Sequence, residues 1–307
     1  MCGGAGTRLW PQSKNNLPKQ FINFGGWTLF EKTLQRIKSS TFDYPIISTN
    51  LAYVNLVRKH LLKCKIKKFK IVLEPSKKNT APAILSSVLL KEIPYNQSMI
   101  FFSSDHLIEK INQFNKSIIS NKRYLNDKNI FIFGIKPTSP TSEYGYFLTK
   151  KISRNINKVV RFVEKPSIDK AKKIIKKNGY WNSGMFFARK DSIVNNFRKH
   201  QPQLFKFCTD AVNKSTIYKN VYHLNKCSFN KLKERSFDYA ILEKSEDING
   251  IKLNIPWSDL GSWKEISNIF NKNKSKYFRK SNVFYRPWGK YINLYSGNGF
   301  LVKELVL

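Results

Sequence analysis

"MIFFSSDH", Met99 to His106, sets an uninterrupted apolar run against a polar, acidic end. Such a run, without alternation, is a strand buried on both faces, and it lies between two helix-period segments, Thr80 to Lys91 and Phe114 to Leu125. The alternation continues outward. Tyr44 to Ser48 reads as a strand, Ala52 to Leu62 as a helix, Lys70 to Leu73 as a strand, and Ile130 to Ile135 as a further strand. Thr28-Leu29-Phe30-Glu31 is a capping box that opens a helix with Phe30, Leu34 and Ile37 on one face. Strands and helices in this order imply right-handed crossovers and a doubly wound, Rossmann-like α/β sheet. Ligands of such sheets bind beyond the carboxyl ends of the strands, where Glu74-Pro75 and Ser104-Asp105-His106 stand.

A glycine-rich loop should follow the first strand of this fold, and "GGAGTRLWPQSKNNLPKQF", Gly3 to Phe21, fits that place. Its glycines admit positive φ and close approach of a ligand, while Arg8, Lys14 and Lys19 bring positive charge, a combination suited to polyphosphate. It matches neither the Gly-x-x-x-x-Gly-Lys-Ser/Thr loop nor the dinucleotide fingerprint, which needs a third glycine. A purely structural turn remains the alternative. Only Met1 and Cys2 precede the loop, so the first strand is expected to be largely missing.

With 307 residues, 41% hydrophobic and 14% aromatic, the chain can bury the core of one large domain, or of a domain and a fragment. Its 55 Lys and Arg against 20 Asp and Glu, formally +35, are mostly scattered lysines, which read as a solvated basic face favouring small anionic substrates over a dedicated nucleic-acid surface. Cys2, Cys64, Cys208 and Cys227 form no Cys-x-x-Cys pair, so neither a disulfide framework nor a zinc site is expected. No signal region and no membrane-length apolar run is present, and a cytoplasmic location is expected.

Among the residues able to carry chemistry, Asp105 follows a buried strand, where a carboxylate holds a hard cation or caps a turn. His106 reads as a packing residue. Asp259, between Trp257 and Trp263, is a second carboxylate of the same kind, and the two together fit magnesium completed by substrate oxygens. In Phe162-Val163-Glu164-Lys165-Pro166, Glu164 can accept from sugar hydroxyls while Lys165, on the opposite face of an extended segment, reaches a phosphate; a surface ion pair is the other reading. Asn182, beside Gly184, offers an amide to sugar hydroxyls or belongs to a turn entering a strand.

Taken together, GGAGTRLWP, PKQF, EPSKKNTAPA, SSDH, EYGYF, FVEKP, WNSGMFF, SFDYAILEK and WSDLGSW run from Gly3 to Trp263. In this set the chain resembles the bacterial mannose-1-phosphate guanylyltransferases that often carry a fused phosphomannose isomerase domain, within the sugar-nucleotide pyrophosphorylase group. The resemblance implies a mixed-sheet nucleotidyltransferase domain and attack of mannose 1-phosphate on the α-phosphorus of GTP. It implies that Gly3, Gly4, Gly6 and Thr7 cradle the nucleotide, that Arg8 and Lys19 neutralise the triphosphate, and that Asn79, Thr80 and Pro82 lie near base and ribose. It further implies that Asp105 and Asp259 hold Mg2+, that Gly145, Glu164 and Asn182 bind the mannose ring, and that Lys165 meets its phosphate.

The expected organisation is a catalytic domain over 1–270, a linker over 271–284, and the truncated start of a cupin-type isomerase domain, a short β stub, over 285–307. With only His60, His106, His200 and His223 present, isomerase activity is expected to be absent. An arginine common in the family after WPLS is replaced by Lys14, which keeps charge and loses the bidentate fork. Expected partners are GTP and mannose 1-phosphate, with a homodimer as the assembly to test, and neither a specific nucleic acid nor a membrane. The competing readings are a pyrophosphorylase for another nucleotide or hexose 1-phosphate, and an inactive copy acting as a basic binding protein.

Overall fold

Thr28 opens the first helix in the way its sequence requires. In α1 (Leu29–Arg36) the Glu31 amide donates to Thr28 Oγ1 at 3.1 Å and the Thr28 amide to Glu31 Oε2 at 3.2 Å. The computed structural model describes residues 1–4, 9, 13, 16–24, 26–153, 156–262 and 265–266, and the backbone of three strands between 283 and 306. After α1 come β1 (Ile46–Asn50), α2 (Val54–Lys63), β2 (Lys70–Glu74), α3 (Thr80–Val88), β3 (Ser98–Phe101), β4 (Leu107–Ile108), α4 (Ile111–Lys122) and β5 (Ile130–Ile135). The second half adds β6 (Tyr146–Lys151), β7 (Asn157–Val163), α5 (Ile168–Lys176), β8 (Tyr180–Arg189), α6 (Lys190–His200) and α7 (Pro202–Asn213). It continues with β9 (Thr216–Tyr218), β10 (Val221–His223), α8 (Lys226–Asn230), β11 (Ile248–Leu253) and β12 (Trp257–Ser258).

These strands form a four-stranded sheet in the order β1-β2-β10-β9 and a six-stranded sheet in the order β3-β8-β5-β11-β7-β6. Pairings β1 with β2, β2 with β10 and β5 with β11 are parallel. β8 runs antiparallel between β3 and β5, so these two consecutive strands of the alternating pattern are not neighbours. The stretch around Asn182, one of whose readings is a turn, lies inside this ten-residue strand. Its burial on both faces accounts for the central position.

Strand alternation distributes the core over both faces of the six-stranded sheet. Ile130 and Ile132 face a cluster with Ile84, Val88, Ile193 and Phe197 of α3 and α6, whereas Phe131 and Phe133 face Phe114, Ile118, Ala171 and Ile174 of α4 and α5. α1 and α2 cover the four-stranded sheet through Phe30, Leu34, Val57 and Leu61. All four cysteines are free thiols, Cys2 and Cys208 buried and Cys227 exposed. Among the described residues no helix is long and apolar enough to cross a membrane.

The basic run Asn271 to Lys276 falls outside the described residues. Beyond it, β13 (Val283–Trp288), β14 (Tyr291–Ser296) and β15 (Gly299–Val306) form an antiparallel meander.

Thr28→Ala removes one half of the capping box and leaves the Glu31 amide without its side-chain acceptor. We expect a loss of about 1 kcal/mol in urea unfolding; an unchanged midpoint would show that the box contributes nothing to stability.

Candidate functional site

Lys19 sits in a single 3₁₀ turn (Lys19–Phe21) entered from Pro18, and is only 5% exposed. A buried ammonium needs a charged partner, and Nζ lies 3.0 Å from Asp105 Oδ2 and also donates to the backbone carbonyl of Asp259. The meeting is prepared by two short strands: β4 begins right after His106, and its pairing with β12 sets Ser258 opposite Leu107. Asp105 and Asp259 thus converge from the ends of β3 and β12. Burial acts to raise the Asp105 carboxyl, and the Lys19 ammonium, helped by His106, more than reverses it, leaving it below its ordinary value.

Tyr144 joins this junction to the next. Its hydroxyl donates to Asp259 Oδ1 at 2.7 Å and lies 3.3 Å from Glu265 Oε1, and burial followed by the Asp259 and Glu265 carboxylates raises its pKa far above the ordinary value. Its ring stands edge-on to Trp181 and Trp257, at 5.1 and 5.4 Å between centroids. His106 packs edge-on to the same Trp257, at 5.4 Å, which fits the packing role read from sequence. Arg36 of α1, buried, donates from Nη2 to the His106 carbonyl at 3.0 Å and so fixes the turn that presents Asp105.

Gly145 follows Tyr144, and its carbonyl accepts from the Asn182 amide at 2.7 Å. A Cβ on Gly145 would overlap Glu164 Oε2, so a larger residue there would require that carboxylate to move. The Asn182 side chain is fixed at both ends: Nδ2 donates to Asp238 Oδ1 at 2.8 Å, and Oδ1 accepts from the Gly184 amide at 3.2 Å. Glu164, Lys165 and Asp238 then line a cleft of about 630 Å³ together with Asn79, Thr80 and Tyr239. Asn79, at φ 68°, caps α3 by accepting the Thr80 amide at 2.8 Å.

Carboxylates suit a hard cation, and here the Asp105 carboxylate is paired with the Lys19 ammonium while the Asp259 carboxylate accepts from the Tyr144 hydroxyl, its backbone carbonyl taking the ammonium. Among the described residues no group of three or more His, Cys, Asp or Glu is placed to hold a metal ion.

A family model for nucleotidyl transferases matches residues 1–276. The chain belongs to the nucleotidyl transferase family. Among its relatives, a mannose-1-phosphate guanylyltransferase of Salmonella montevideo is 32% identical over 292 residues, covering 92% of this chain and 62% of that protein. The alginate biosynthesis protein AlgA of Pseudomonas fluorescens is 31% identical over 278 residues, covering 89% and 58%. The chain therefore spans about three fifths of the length of these relatives. A Thermus thermophilus crystal structure described as a mannose-1-phosphate geranyltransferase superimposes with TM-score 0.77 at 26% identity, over 88% of this chain and 77% of that one.

The structure describes some of the residues singled out in the sequence of this nucleotidyl transferase and not others. Gly6, Thr7 and Arg8 lie outside the described residues, as does Lys14. Gly3 and Gly4 are not at positive φ; their surroundings are open, and Gly4 accepts from Gln20 Nε2 at 3.1 Å. Pro82 is buried in the first turn of α3 and does not line the cleft. Lys165 is left-handed at φ 46°, not extended, and this bend puts it and Glu164 on the same cleft. Tyr144 and Asp238 take no role in the sequence reading, although EYGYF and SFDYAILEK contain them.

Burial first, then the neighbouring Asp238 and Glu243 carboxylates, push the Glu164 carboxyl from its ordinary 4.5 up to about 8, with the Lys165 ammonium opposing. The Asp238 carboxyl is raised as well, chiefly by burial. A carboxyl raised in this way holds its proton more tightly folded than unfolded. Its stabilising contribution is complete below about pH 4.5 and is lost as pH rises to about 8. Glu164→Gln is therefore expected to flatten the decline of urea-unfolding stability between about pH 5 and 8; equal slopes in the two proteins would place that proton elsewhere.

Proposed function

We propose that the chain transfers a guanylyl group from GTP to mannose 1-phosphate, giving GDP-mannose and pyrophosphate. Residues 1–270 would form the transferase domain, 271–284 a linker, and 285–307 the start of a cupin-type isomerase domain. The observation that carries the reading is the junction of Lys19, Asp105 and Asp259, which Tyr144 links to the contact of its chain neighbour Gly145 with Glu164 and Asn182. This adjacency supports a reading in which phosphate and sugar hydroxyls are bound side by side. The relatives named as mannose-1-phosphate guanylyltransferases support the choice of base and sugar.

In this reading a phosphate oxygen of mannose 1-phosphate forms a bond to the α-phosphorus of GTP while the bond to pyrophosphate breaks. No protein nucleophile is required, so positioning and charge stabilisation carry the rate. Lys19 neutralises phosphoryl oxygens, and Arg8 is assigned the same task on the glycine loop of Gly3, Gly4, Gly6 and Thr7. Magnesium, held by Asp105 and Asp259, would supply further charge neutralisation at the phosphates. Glu164 and the fixed Asn182 amide orient the mannose hydroxyls, Lys165 binds the sugar phosphate, and Asn79 and Thr80 border the base and ribose. The net charge of +35 draws both anionic substrates toward the protein.

The test is magnesium-dependent pyrophosphate release across four nucleoside triphosphates and the 1-phosphates of mannose, glucose and N-acetylglucosamine. Turnover confined to GTP with mannose 1-phosphate is expected, and Lys19→Ala and Asp105→Asn should each lower kcat by about 100-fold or more. Turnover with a different pair would reassign the substrates. Full activity in Asp105→Asn would remove that carboxylate from the site.

A further inference from the structure

The segment from Glu234 to Glu243 meets three walls of the cleft in turn. At the start of α3 the Asn79 side chain donates to Glu234 at 3.3 Å, the Arg235 amide donates to the Lys78 carbonyl at 3.1 Å, and the Phe237 amide donates to Thr80 Oγ1 at 2.8 Å. At β8 the Phe237 ring stacks on Phe186, 4.2 Å between centroids, and Asp238 accepts from Asn182. At the end of β7 the Glu164 amide donates to Glu243 Oε1 at 3.2 Å. The first two contacts reach residues that already have a place in the site. Glu243 has none.

A single π turn, Asp238–Leu242, brings Asp238 and Glu243 to the same corner. Its closing bond runs from the Glu243 amide to the Asp238 carbonyl at 3.0 Å. In an α-helix residues three and four apart share a face and residues five apart do not, so the wider turn is what aligns this pair. The turn is anchored in the core: Ala240, Ile241 and Leu242 are buried in the cluster that holds Phe186 and Phe197, and Gln201 Nε2 donates to the Ala240 carbonyl at 3.0 Å. Glu164 stands just past the end of β7, ahead of Lys165 at φ 46° and Pro166. Lysine has no preference for that conformation, and a following proline favours extended backbone instead.

We propose that Glu243 is a positioning residue for the sugar-phosphate side of the site, its carboxylate holding the Glu164 amide and with it the left-handed bend that presents Glu164 and Lys165 to the cleft. The inference rests on the reading of that cleft as the place of mannose 1-phosphate. A left-handed lysine persists where its surroundings over-determine it, and a carboxylate on an anchored turn makes a strong bond to a backbone amide. Without that bond the bend relaxes toward extended backbone, in which successive side chains point to opposite faces and Glu164 and Lys165 no longer share the cleft. The effect falls on the sugar phosphate, which both residues are assigned to bind. Lys19 and Asp105 are set instead by the pairing of β4 with β12, which involves no residue of the π turn.

Glu243→Ala and Glu243→Gln separate the bond from the charge, because glutamine keeps an acceptor oxygen at the same reach. The side chain is exposed, so neither variant removes core packing. In Glu243→Ala the Glu164 amide is expected to exchange with solvent about 10-fold faster, and KM for mannose 1-phosphate to rise about 10-fold while KM for GTP stays within about twofold. Glu243→Gln is expected to keep all three near those of the unaltered protein. Unchanged exchange in Glu243→Ala, faster exchange with no change in KM, an equal rise in both KM values, or a glutamine variant that behaves as the alanine one overturns the proposal. If another sugar 1-phosphate proves to be the substrate, its KM is the one compared. Absence of turnover in the unaltered chain refutes the proposed reaction, and the exchange comparison, which needs no substrate, then decides whether Glu243 holds the bend.

Discussion

One ammonium group, Nζ of Lys19, holds the candidate site in its shape. It is buried between the Asp105 carboxylate and the Asp259 carbonyl, groups more than a hundred residues apart in sequence and brought together by the pairing of β4 with β12. A charge so placed ties the two strand ends as firmly as its own desolvation is unfavourable. Asp259 then anchors Tyr144, Tyr144 leads into Gly145, and Gly145 makes room for Glu164. The Lys19 junction and the Glu164 corner are thus linked through one chain of contacts.

The second cluster is governed by crowding of like charge. Glu164, Asp238 and Glu243 approach one another in a partly desolvated corner, with the Lys165 ammonium beside them. Asn182 reports the state of this group, because its amide is held by Asp238 while its carbonyl oxygen is held by the Gly184 amide. Gly184 itself lies against His106, next to Asp105, so the two clusters touch through a second route.

Much of the fold is legible in the sequence because local signals and burial agree. Ile130 to Ile135 is read and found with the same ends, and the capping box at Thr28 forms as written. The path of β8 is less legible, since burial on both faces marks Tyr180 to Arg189 as central without encoding direction. The carboxylates at strand ends can be located by the rule for α/β sheets, whereas Tyr144 and Asp238 acquire meaning only from partners 115 and 56 residues away. The left-handed bend at Lys165 carries no residue signature at all, because lysine has no preference for positive φ.

The strand order of the six-stranded sheet also dictates when it can be completed during synthesis. β8 lies between β3 and β5, and β11 between β5 and β7, so β3 and β5 wait for residues near Arg189 to leave the ribosome, and the join to β7 waits for Leu253. Their apolar edges stand open through those intervals, a state prone to aggregation and slow to resolve because its contacts are distant in sequence. The many lysines spread along the chain give the nascent polypeptide a uniform repulsive charge through that interval.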